Sequence, residues 1–158
     1  MKKIKIIFII VLLIFNFSTF LLSAPCRKVY GYLAGWVTTP GWSLNDIDWQ
    51  ALTHVIDCFA VPKANGTLDI DSGGTGGGTL RKSSLVDRAH AEGVRCMYSV
   101  GGQSGSSNFS SAVSSTYRTT FVNNLISIMT TYGYDGIDID WEFPGSGDKA
   151  NFTAFIYE

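Results

Sequence analysis

Residues 134–144 read YDGIDIDWEFP, and this stretch carries the strongest signal for the fold of the chain. Carboxylates occupy alternate positions within it, at Asp138, Asp140 and Glu142. Apolar side chains fill the positions between them, at Ile137, Ile139 and Trp141. Because successive side chains of a strand point to opposite faces, the pattern predicts a strand with one acidic face and one buried apolar face.

The acidic face of this strand is suited to acid catalysis. Successive carboxylates on that face lie about 6.5 Å apart along the backbone. In a partly desolvated space they cannot all ionise at their ordinary pKa values, so we expect at least one to hold a proton near neutral pH. A protonated carboxyl beside ionised carboxylates is the arrangement that general acid catalysis requires.

Two other interpretations of this stretch are weaker. A calcium-binding loop that starts at Asp138 would need glycine at its sixth position, where the chain has Phe143. A solvated edge strand is disfavoured by the aromatic residues Tyr134, Trp141 and Phe143. We therefore expect neither a metal nor a cofactor.

Length and composition point to one globular domain. The chain has 158 residues, of which 46% are hydrophobic, and a formal net charge of −1. This hydrophobic content is too high for a disordered chain, and the charge is not basic enough for a nucleic-acid partner. We expect no nucleic acid among the ligands.

The first 24 residues have the layout of a secretory leader. Three lysines, at positions 2, 3 and 5, precede the apolar run 6–15, and small residues follow at Ser23 and Ala24. Cleavage there would leave residues 25–158 as a secreted, extracellular domain without a membrane segment. Pro25 is awkward directly after a cleavage site, so an uncleaved N-terminal anchor is the alternative.

Glycan acceptors and cysteines are compatible with secretion. Acceptor triplets begin at Asn65, Asn108 and Asn151, and the first two lie in stretches predicted to be surface loops. Three cysteines, Cys26, Cys58 and Cys96, are too few for a disulfide scaffold. The last two lie in apolar runs, which predicts buried, inert thiols.

The remaining chain alternates predicted strands with predicted helices. The strands are 29–36, 54–60, 94–100 and 134–142; the helices are 44–52, 84–92, which Gly93 ends, and a longer one that residues 114–116 cap and Gly133 ends. A further amphipathic helix begins near Phe152. This order predicts parallel βα units, whose active residues lie at the carboxyl ends of the strands.

The informative residues follow that rule. Glu142 ends the fourth predicted strand, the segment 99–102 ends the third and Trp36 ends the first. The glycine-rich segments 73–78 and 101–105 lack the Lys-Ser/Thr of a phosphate-binding loop and fit no dinucleotide fingerprint. These segments are therefore interpreted as loops.

These residues resemble glycoside hydrolase family 18, the chitinases and related N-acetylglucosaminidases. Residues 135–142 match the family's D-x-x-D-x-D-x-E pattern, and residues 99–102 match its S-x-G-G pattern. The runs 30–36 and 58–60 also look like their counterparts, so the resemblance covers about residues 27–158 and is strongest to fungal-type secreted members. It implies a (β/α)8 TIM barrel of α/β class and chitin or chito-oligosaccharides as ligands.

The resemblance also implies roles for individual residues. Glu142 would be the general acid, and Asp140 would orient the substrate's acetamido group, whose oxygen is the nucleophile in this substrate-assisted, retaining mechanism. Asp138, Ser99 and Tyr32 would form a buried layer that holds Asp140. Phe59 would line the floor under the sugar, and Gly101, Gly102 and Trp141 would bind substrate or support the site. Asp135 is assigned to structure, and Gln103 replaces an aromatic residue that is common at this position in the family.

Length separates the alternatives for function. A full barrel needs about 250 residues, so this chain accommodates about four of eight βα units and is expected to be a truncated N-terminal part. Open barrel edges would favour self-association. The alternatives to a chitinase are therefore a chitin-binding, lectin-like protein and an inactive half-barrel.

Overall fold

The computed structural model describes residues 27–37, 40–72 and 77–158. The expected leader and Cys26 lie outside these residues. The strands are β1 (Tyr30–Ala34), β2 (His54–Pro62), β3 (Leu68–Asp69), β4 (Arg95–Gly101) and β5 (Gly136–Asp140). The helices are α1 (Ser83–Ala91), α2 (Phe109–Ala112), α3 (Arg118–Tyr132) and α4 (Lys149–Tyr157). Across these ranges, no helix combines the length and the apolar character that a membrane crossing needs.

Four strands form a parallel sheet in the order β1-β2-β4-β5. Strands that follow one another in the chain are therefore neighbours in the sheet, apart from β3, which pairs antiparallel with the end of β2. Helix α1 connects β2 to β4 by way of β3, and α2 and α3 connect β4 to β5. This succession of parallel βα units confirms the predicted α/β fold, with four strands of the barrel type.

An aromatic cluster joins the sheet to its helices. Phe109, Phe121 and Trp141 are buried, and the Trp141 ring stacks on Phe109 with centroids 5.0 Å apart. Phe121 stacks in turn on Phe155 of α4 at 5.3 Å. Buried aromatic pairs of this kind contribute about 0.5–1.5 kcal/mol beyond the burial of their area. Trp141 therefore anchors the chain directly before Glu142 from the helix side of the sheet.

Glycines end two helices as predicted. Gly93 follows α1 with φ 74°, and Gly133 follows α3 with φ 78°. The Gly133 N–H donates to the Met129 carbonyl, which satisfies an orphan group of the last turn.

Two helix predictions are wrong. Residues 44–52 form two short 3-10 turns, Leu44–Asp46 and Trp49–Ala51. Ser43 and Asp46 close a capping box at the start of the first turn, and the chain becomes extended at Ile47, which separates the two. Residues 114–116 do not cap α3: the helix begins at Arg118, preceded by a turn in which the Tyr117 N–H donates to the Ser114 carbonyl.

Two strands end earlier than predicted, and one short strand was not predicted. Strand β1 ends at Ala34 rather than at residue 36, and β5 ends at Asp140 rather than at Glu142. Strand β3 arises because Gly66, with φ 80°, turns the chain back after β2. The Lys63 N–H donates to the Thr67 carbonyl and closes this turn.

Candidate active site

The residues singled out from the sequence meet at the carboxyl ends of the parallel strands. Asp138 and Asp140 lie on β5, and Glu142 follows two residues later. The other candidates lie on the neighbouring strands or directly after them: Tyr32 on β1, Phe59 on β2, and Ser99, Gly101 and Gly102 at the end of β4. The sheet therefore gathers these residues at one rim.

Asp138 is held by two hydroxyl groups. Parallel pairing places Ser99 opposite Asp138, and the Ser99 hydroxyl donates to Asp138 Oδ2 at 2.7 Å. The Tyr32 hydroxyl donates to the same oxygen at 3.2 Å. Burial, followed by the Asp138 charge, raises the pKa of Tyr32 to about 12, so this phenol remains a donor throughout the physiological range. The structure thus brings together the three residues expected to form the supporting layer. The expectation that this layer is buried is wrong for Tyr32, which is 59% exposed, whereas Ser99 is buried.

Asp140 titrates at a higher pH than an ordinary aspartate. Burial raises the pKa of Asp140, and the charge of Asp138 on the same strand face raises it further. Its carboxyl oxygens make no hydrogen bond to the residues that the structure describes. Asp140 is consequently free to bond a ligand, and its raised pKa means that it keeps a proton to higher pH than an ordinary aspartate.

Ser106 fixes the chain that leads to Glu142, and the sequence analysis did not find it. Its hydroxyl lies 2.8 Å from the Gly102 carbonyl and 3.2 Å from the Asp140 carbonyl, and it accepts the Glu142 N–H at 2.9 Å. A side chain thus replaces the neighbouring strand as the partner of Glu142, which is why β5 ends at Asp140. Ser106 lies in the run SGSS, residues 104–107, whose composition indicated only a loop.

Gly101 and Gly102 allow the ends of β4 and β5 to approach closely. A Cβ on Gly101 would lie 2.2 Å from the Asp140 carbonyl oxygen, and its φ is 113°. A Cβ on Gly102 would lie 2.8 Å from the Phe59 ring, and the Gly102 N–H donates to the Asp140 carbonyl at 2.8 Å. Both glycines therefore support the site through the backbone.

Aromatic rings lie beside the carboxylates. Phe59 is half-buried, and Trp36, which is 53% exposed, stacks on it with centroids 5.9 Å apart. Phe143 follows Glu142 and is 82% exposed. Flat apolar faces of this kind suit the apolar side of a pyranose ring. Trp141 points away from this group into the helix-side core.

Other titratable groups take structural positions. Cys58 and Cys96 are buried free thiols, and burial raises the pKa of each above its ordinary value, as expected for inert cysteines. Asp135 lies at the opposite end of β5, where its Oδ2 accepts the Cys96 N–H at 2.7 Å and lies 2.8 Å from His90 Nε2. Within the described ranges, no group of three or more His, Cys, Asp and Glu side chains is placed to hold a metal ion.

Comparisons with known proteins agree with this geometry. The family described as "Glycosyl hydrolases family 18" matches residues 28–158. A "chitinase-like effector" of Moniliophthora roreri is 33% identical, over 92% of this chain and 38% of its own length. The "Endochitinase" of Manduca sexta is 31% identical, over 77% of this chain and 24% of its own length.

Solved structures show the same relationship. A chitinase from Rhizomucor miehei superposes with a TM-score of 0.69 at 30% identity, covering 83% of this chain and 42% of that one. A chitinase from Bacteroides thetaiotaomicron gives a TM-score of 0.71 at 27% identity, covering 83% and 41%. The chain thus spans less than half the length of these relatives. It belongs to glycoside hydrolase family 18.

Proposed function

We propose that this protein hydrolyses the β-1,4 linkages between N-acetylglucosamine units in chitin, with Glu142 as the general acid. The observation that carries the proposal is the arrangement on β5, where Asp138, held by Ser99 and Tyr32, precedes Asp140 and Glu142 on one rim. Relatives named as chitinases across more than 80% of the chain support the choice of substrate.

Proton transfer by Glu142 begins the proposed reaction. Glu142 gives its proton to the glycosidic oxygen as the bond between that oxygen and the anomeric carbon breaks. The acetamido carbonyl oxygen of the same sugar forms a bond to the anomeric carbon, which yields an oxazolinium intermediate. Water then attacks the anomeric carbon as the bond between that carbon and the acetamido oxygen breaks, which restores the acetamido group. Glu142 takes up the proton of that water, and the anomeric configuration is retained.

Asp140 orients the acetamido group in this scheme. Its carboxyl makes no hydrogen bond to the described residues, and its raised pKa lets it alternate between a hydrogen-bond donor and an acceptor. Asp138 supports it as a charged neighbour, since the two hydroxyl groups of Ser99 and Tyr32 fix its position. A pre-positioned acetamido oxygen makes the attack effectively intramolecular, which is worth several kcal/mol.

The second candidate function is chitin binding without hydrolysis. The stacked pair of exposed Trp36 and half-buried Phe59 favours it, because these rings could hold a sugar without chemistry. The chain spans under half of its relatives' length. Both candidate functions therefore assume that the rest of a complete barrel supplies further contacts to the sugar.

Secretion belongs to the same proposal. The leader pattern of residues 1–24 supports it, and so does the position of Asn65, an exposed residue in the turn between β2 and β3. Asn65 accepts hydrogen bonds from Thr67 through Oδ1, which leaves its amide nitrogen available to a glycan. Asn108, by contrast, donates that nitrogen to the Pro62 carbonyl.

Self-association remains a prediction. An apolar groove of about 210 Å³ runs beside β5, lined by residues that include Ile126, Ile137, Ile139 and Ile156. We propose that an isolated chain of this length would bury this groove against a second copy. Sedimentation of the isolated chain 25–158 at several concentrations tests this, and a concentration-independent monomer would contradict it.

Replacement of Glu142 by Gln is the experiment that tests the proposed reaction. The naturally secreted protein should release chito-oligosaccharides whose new reducing ends are initially the β-anomer, as observed by proton NMR. Glu142→Gln should lower the rate at least 100-fold while oligosaccharide binding persists. Glu92→Gln, which makes the same change in an α1 ion pair with Arg88, is the control and should remain active.

Three outcomes separate the candidates. Loss of hydrolysis in Glu142→Gln with retained binding supports the chitinase. Binding by the unaltered protein without any sugar release supports the second candidate. Hydrolysis that survives Glu142→Gln, or an initial α-anomer, overturns the proposed mechanism.

A further inference from the structure

A cavity of about 420 Å³ opens at the amino-terminal end of the parallel sheet, opposite the carboxylates. Its charged walls come from three places in the chain: Arg27 and Lys28 before β1, His54 at the start of β2, and Arg95 at the start of β4. Parallel pairing sets His54 directly opposite Arg95. The fold thus assembles one basic wall from separate segments.

Among the residues that the structure describes, no carboxylate lines the cavity. Among the described residues, the ion pairs involve other cations, namely Lys63, Lys82, Arg88, His90 and Arg118. Arg27, Lys28 and Arg95 take part in none of those pairs. Asp135 exerts a charge on His54, but it is already bound to His90 and to the Cys96 N–H. Asp135 also interacts electrostatically with Arg95. Among the described residues, the positive charge at the cavity is therefore only partly offset, and Arg27, Lys28 and Arg95 form no ion pair there.

His54 is held in one orientation at this wall. It is 8% exposed, Tyr30 stacks on its ring with centroids 4.3 Å apart, and its Nδ1 lies 2.9 Å from the Thr53 hydroxyl oxygen. The same hydroxyl oxygen accepts the Val29 N–H at 2.7 Å and lies 3.0 Å from the Val29 carbonyl. If the hydroxyl proton goes to that carbonyl, His54 Nδ1 must carry a proton, and Nε2 is the atom left for a ligand.

The charges around His54 act on its titration. Burial lowers the pKa of His54, Lys28 and Arg95 lower it further, and Asp135 opposes them. A bound anion would reverse the effect of the two cations, because a negative charge beside an imidazole favours the protonated form. Anion binding therefore favours protonation of His54, and protonation of His54 favours anion binding.

We propose that this basic cavity binds an oxyanion of the phosphate or sulfate class. A tetrahedral dianion accepts hydrogen bonds on all of its oxygens, which matches a wall of guanidinium, ammonium and imidazole donors. The same chemistry would recognise a free ion or a sulfate or phosphate ester on a polymer. The site lies at the end of the sheet opposite Glu142 and is independent of the proposed hydrolysis.

Sulfate is the appropriate probe, because its charge is constant between pH 5.5 and 7.5. The naturally processed protein is titrated with sulfate at constant ionic strength set by chloride, and the imidazole resonances of His54 and His90 are followed by NMR. We expect a saturable shift at His54, a smaller response at His90, and binding that strengthens as the pH falls from 7.5 to 5.5.

Two variants test whether sulfate binds in this cavity. Arg95→Gln and Lys28→Gln should each weaken sulfate binding about tenfold, since each removes a charged donor from the wall. Lys63→Gln removes a charge near β3 and is the matched control, which should bind as the unaltered protein does. Folding of each variant is checked by its circular dichroism spectrum.

Several results would overturn the proposal. A response that chloride reproduces at equal ionic strength would mean charge screening alone, and equal binding by Arg95→Gln and the control would remove the cavity as the site.

A sulfated oligosaccharide that binds at least tenfold more tightly than sulfate identifies a polymer as the source of the anion, and equal affinities identify the free ion. Neither readout requires chitin or its hydrolysis, so failure here leaves the proposed function untouched.

Discussion

The two ends of the parallel sheet carry opposite charges and are packed differently. At the carboxyl end, hydroxyl groups hold the Asp138 carboxylate and the Glu142 N–H, and Gly101 has no room for a side chain beside the Asp140 carbonyl. At the amino-terminal end, Lys28 and Arg95 surround an open cavity without ion partners in the described chain. The comparison shows that one short sheet holds a tightly constrained acidic rim and a loosely constrained basic one.

The difference also appears in the titration of two aspartates at the two ends of β5, Asp135 before its first residue and Asp140 at its last. Burial and Asp138 raise the pKa of Asp140. Burial would also raise the pKa of Asp135, but the bonds with His90 and the Cys96 N–H, together with the charges of His90 and Arg95, lower it below its ordinary value. The acidic rim thus keeps a carboxyl in an unfavourable environment, which is the usual signature of a functional group rather than a stabilising one.

The largest expected effect on stability comes from adding a methyl group to a glycine near one end of the sheet and comparing it with a glycine near the other end. Gly101→Ala would place a Cβ 2.2 Å from the Asp140 carbonyl oxygen at φ 113°, so we expect a loss of about 3 kcal/mol or more. Gly93→Ala has a φ of 74° and nothing within 4 Å of the added carbon, so the expected loss is about 1 kcal/mol, from backbone strain alone. Urea unfolding measures both.

Equal losses in these two variants would contradict the difference in packing. Chitin hydrolysis adds a second check for the same pair. Gly101→Ala should also abolish activity because the Asp140 backbone must move, whereas Gly93→Ala should retain it.

The second expected effect concerns the charge that acts on Asp140. Asp138→Asn removes one of the two causes that raise the pKa of Asp140, so that pKa should fall. It also weakens the bonds from Ser99 and Tyr32, and we expect kcat/KM to fall about 100-fold. In the pH profile of hydrolysis, the limb that reports the titration of Asp140 should move to lower pH.

Tyr32→Phe is the matched control for Asp138→Asn. It removes a single hydroxyl at 3.2 Å from Asp138 and leaves the charge in place. Its effect on kcat/KM should be clearly smaller, and its pH profile should move less. A profile that is the same in Asp138→Asn and in the unaltered protein would contradict the electrostatic coupling.

The third expected effect separates Ser106 from its exposed neighbour Ser107. Ser106→Ala removes the acceptor of the Glu142 N–H, so the general acid should lose its position and kcat should fall about tenfold with KM little changed. Exchange of the Glu142 amide hydrogen should become faster. Ser107→Ala is the control, and a similar loss in both variants would show that Ser106 has no specific role.

Much of the acidic rim could be predicted from sequence because its signal is periodic. Alternation over residues 136–142 predicted a strand and the shared face of Asp138 and Asp140, and parallel βα order predicted that Ser99 would reach the same rim. Both inferences depend only on the geometry of strands and on the direction of chain crossing.

The remaining features depend on single side chains and could not be predicted in this way. Ser106 lies in a run of serine and glycine that has no periodicity, and its role comes from three backbone groups that are distant in sequence. Residues 44–52 have apolar positions at helical spacing, yet the backbone becomes extended at Ile47 and divides them into two short turns. The basic cavity is scattered over residues 27–95 and becomes visible only when the strands are placed side by side.

The smallest expected effects are opposite in sign for the two aspartates. A carboxyl whose pKa is raised by folding adds stability only below its unfolded pKa of about 3.9, and that stability is lost as the pH rises through its folded pKa. Asp140→Asn should therefore raise the free energy of unfolding at pH 7 and leave it unchanged near pH 3.

Asp135 has a lowered pKa, so its contribution to stability is present at pH 7 and is lost as the pH falls below about 3.9. Asp135→Asn should cost about 1 kcal/mol at pH 7, a figure kept small because His90 is 45% exposed and solvent screens the pair. Urea unfolding at pH 7 and pH 3 measures both variants, and changes of the same sign at pH 7 would show that the two ends of β5 do not differ in this respect.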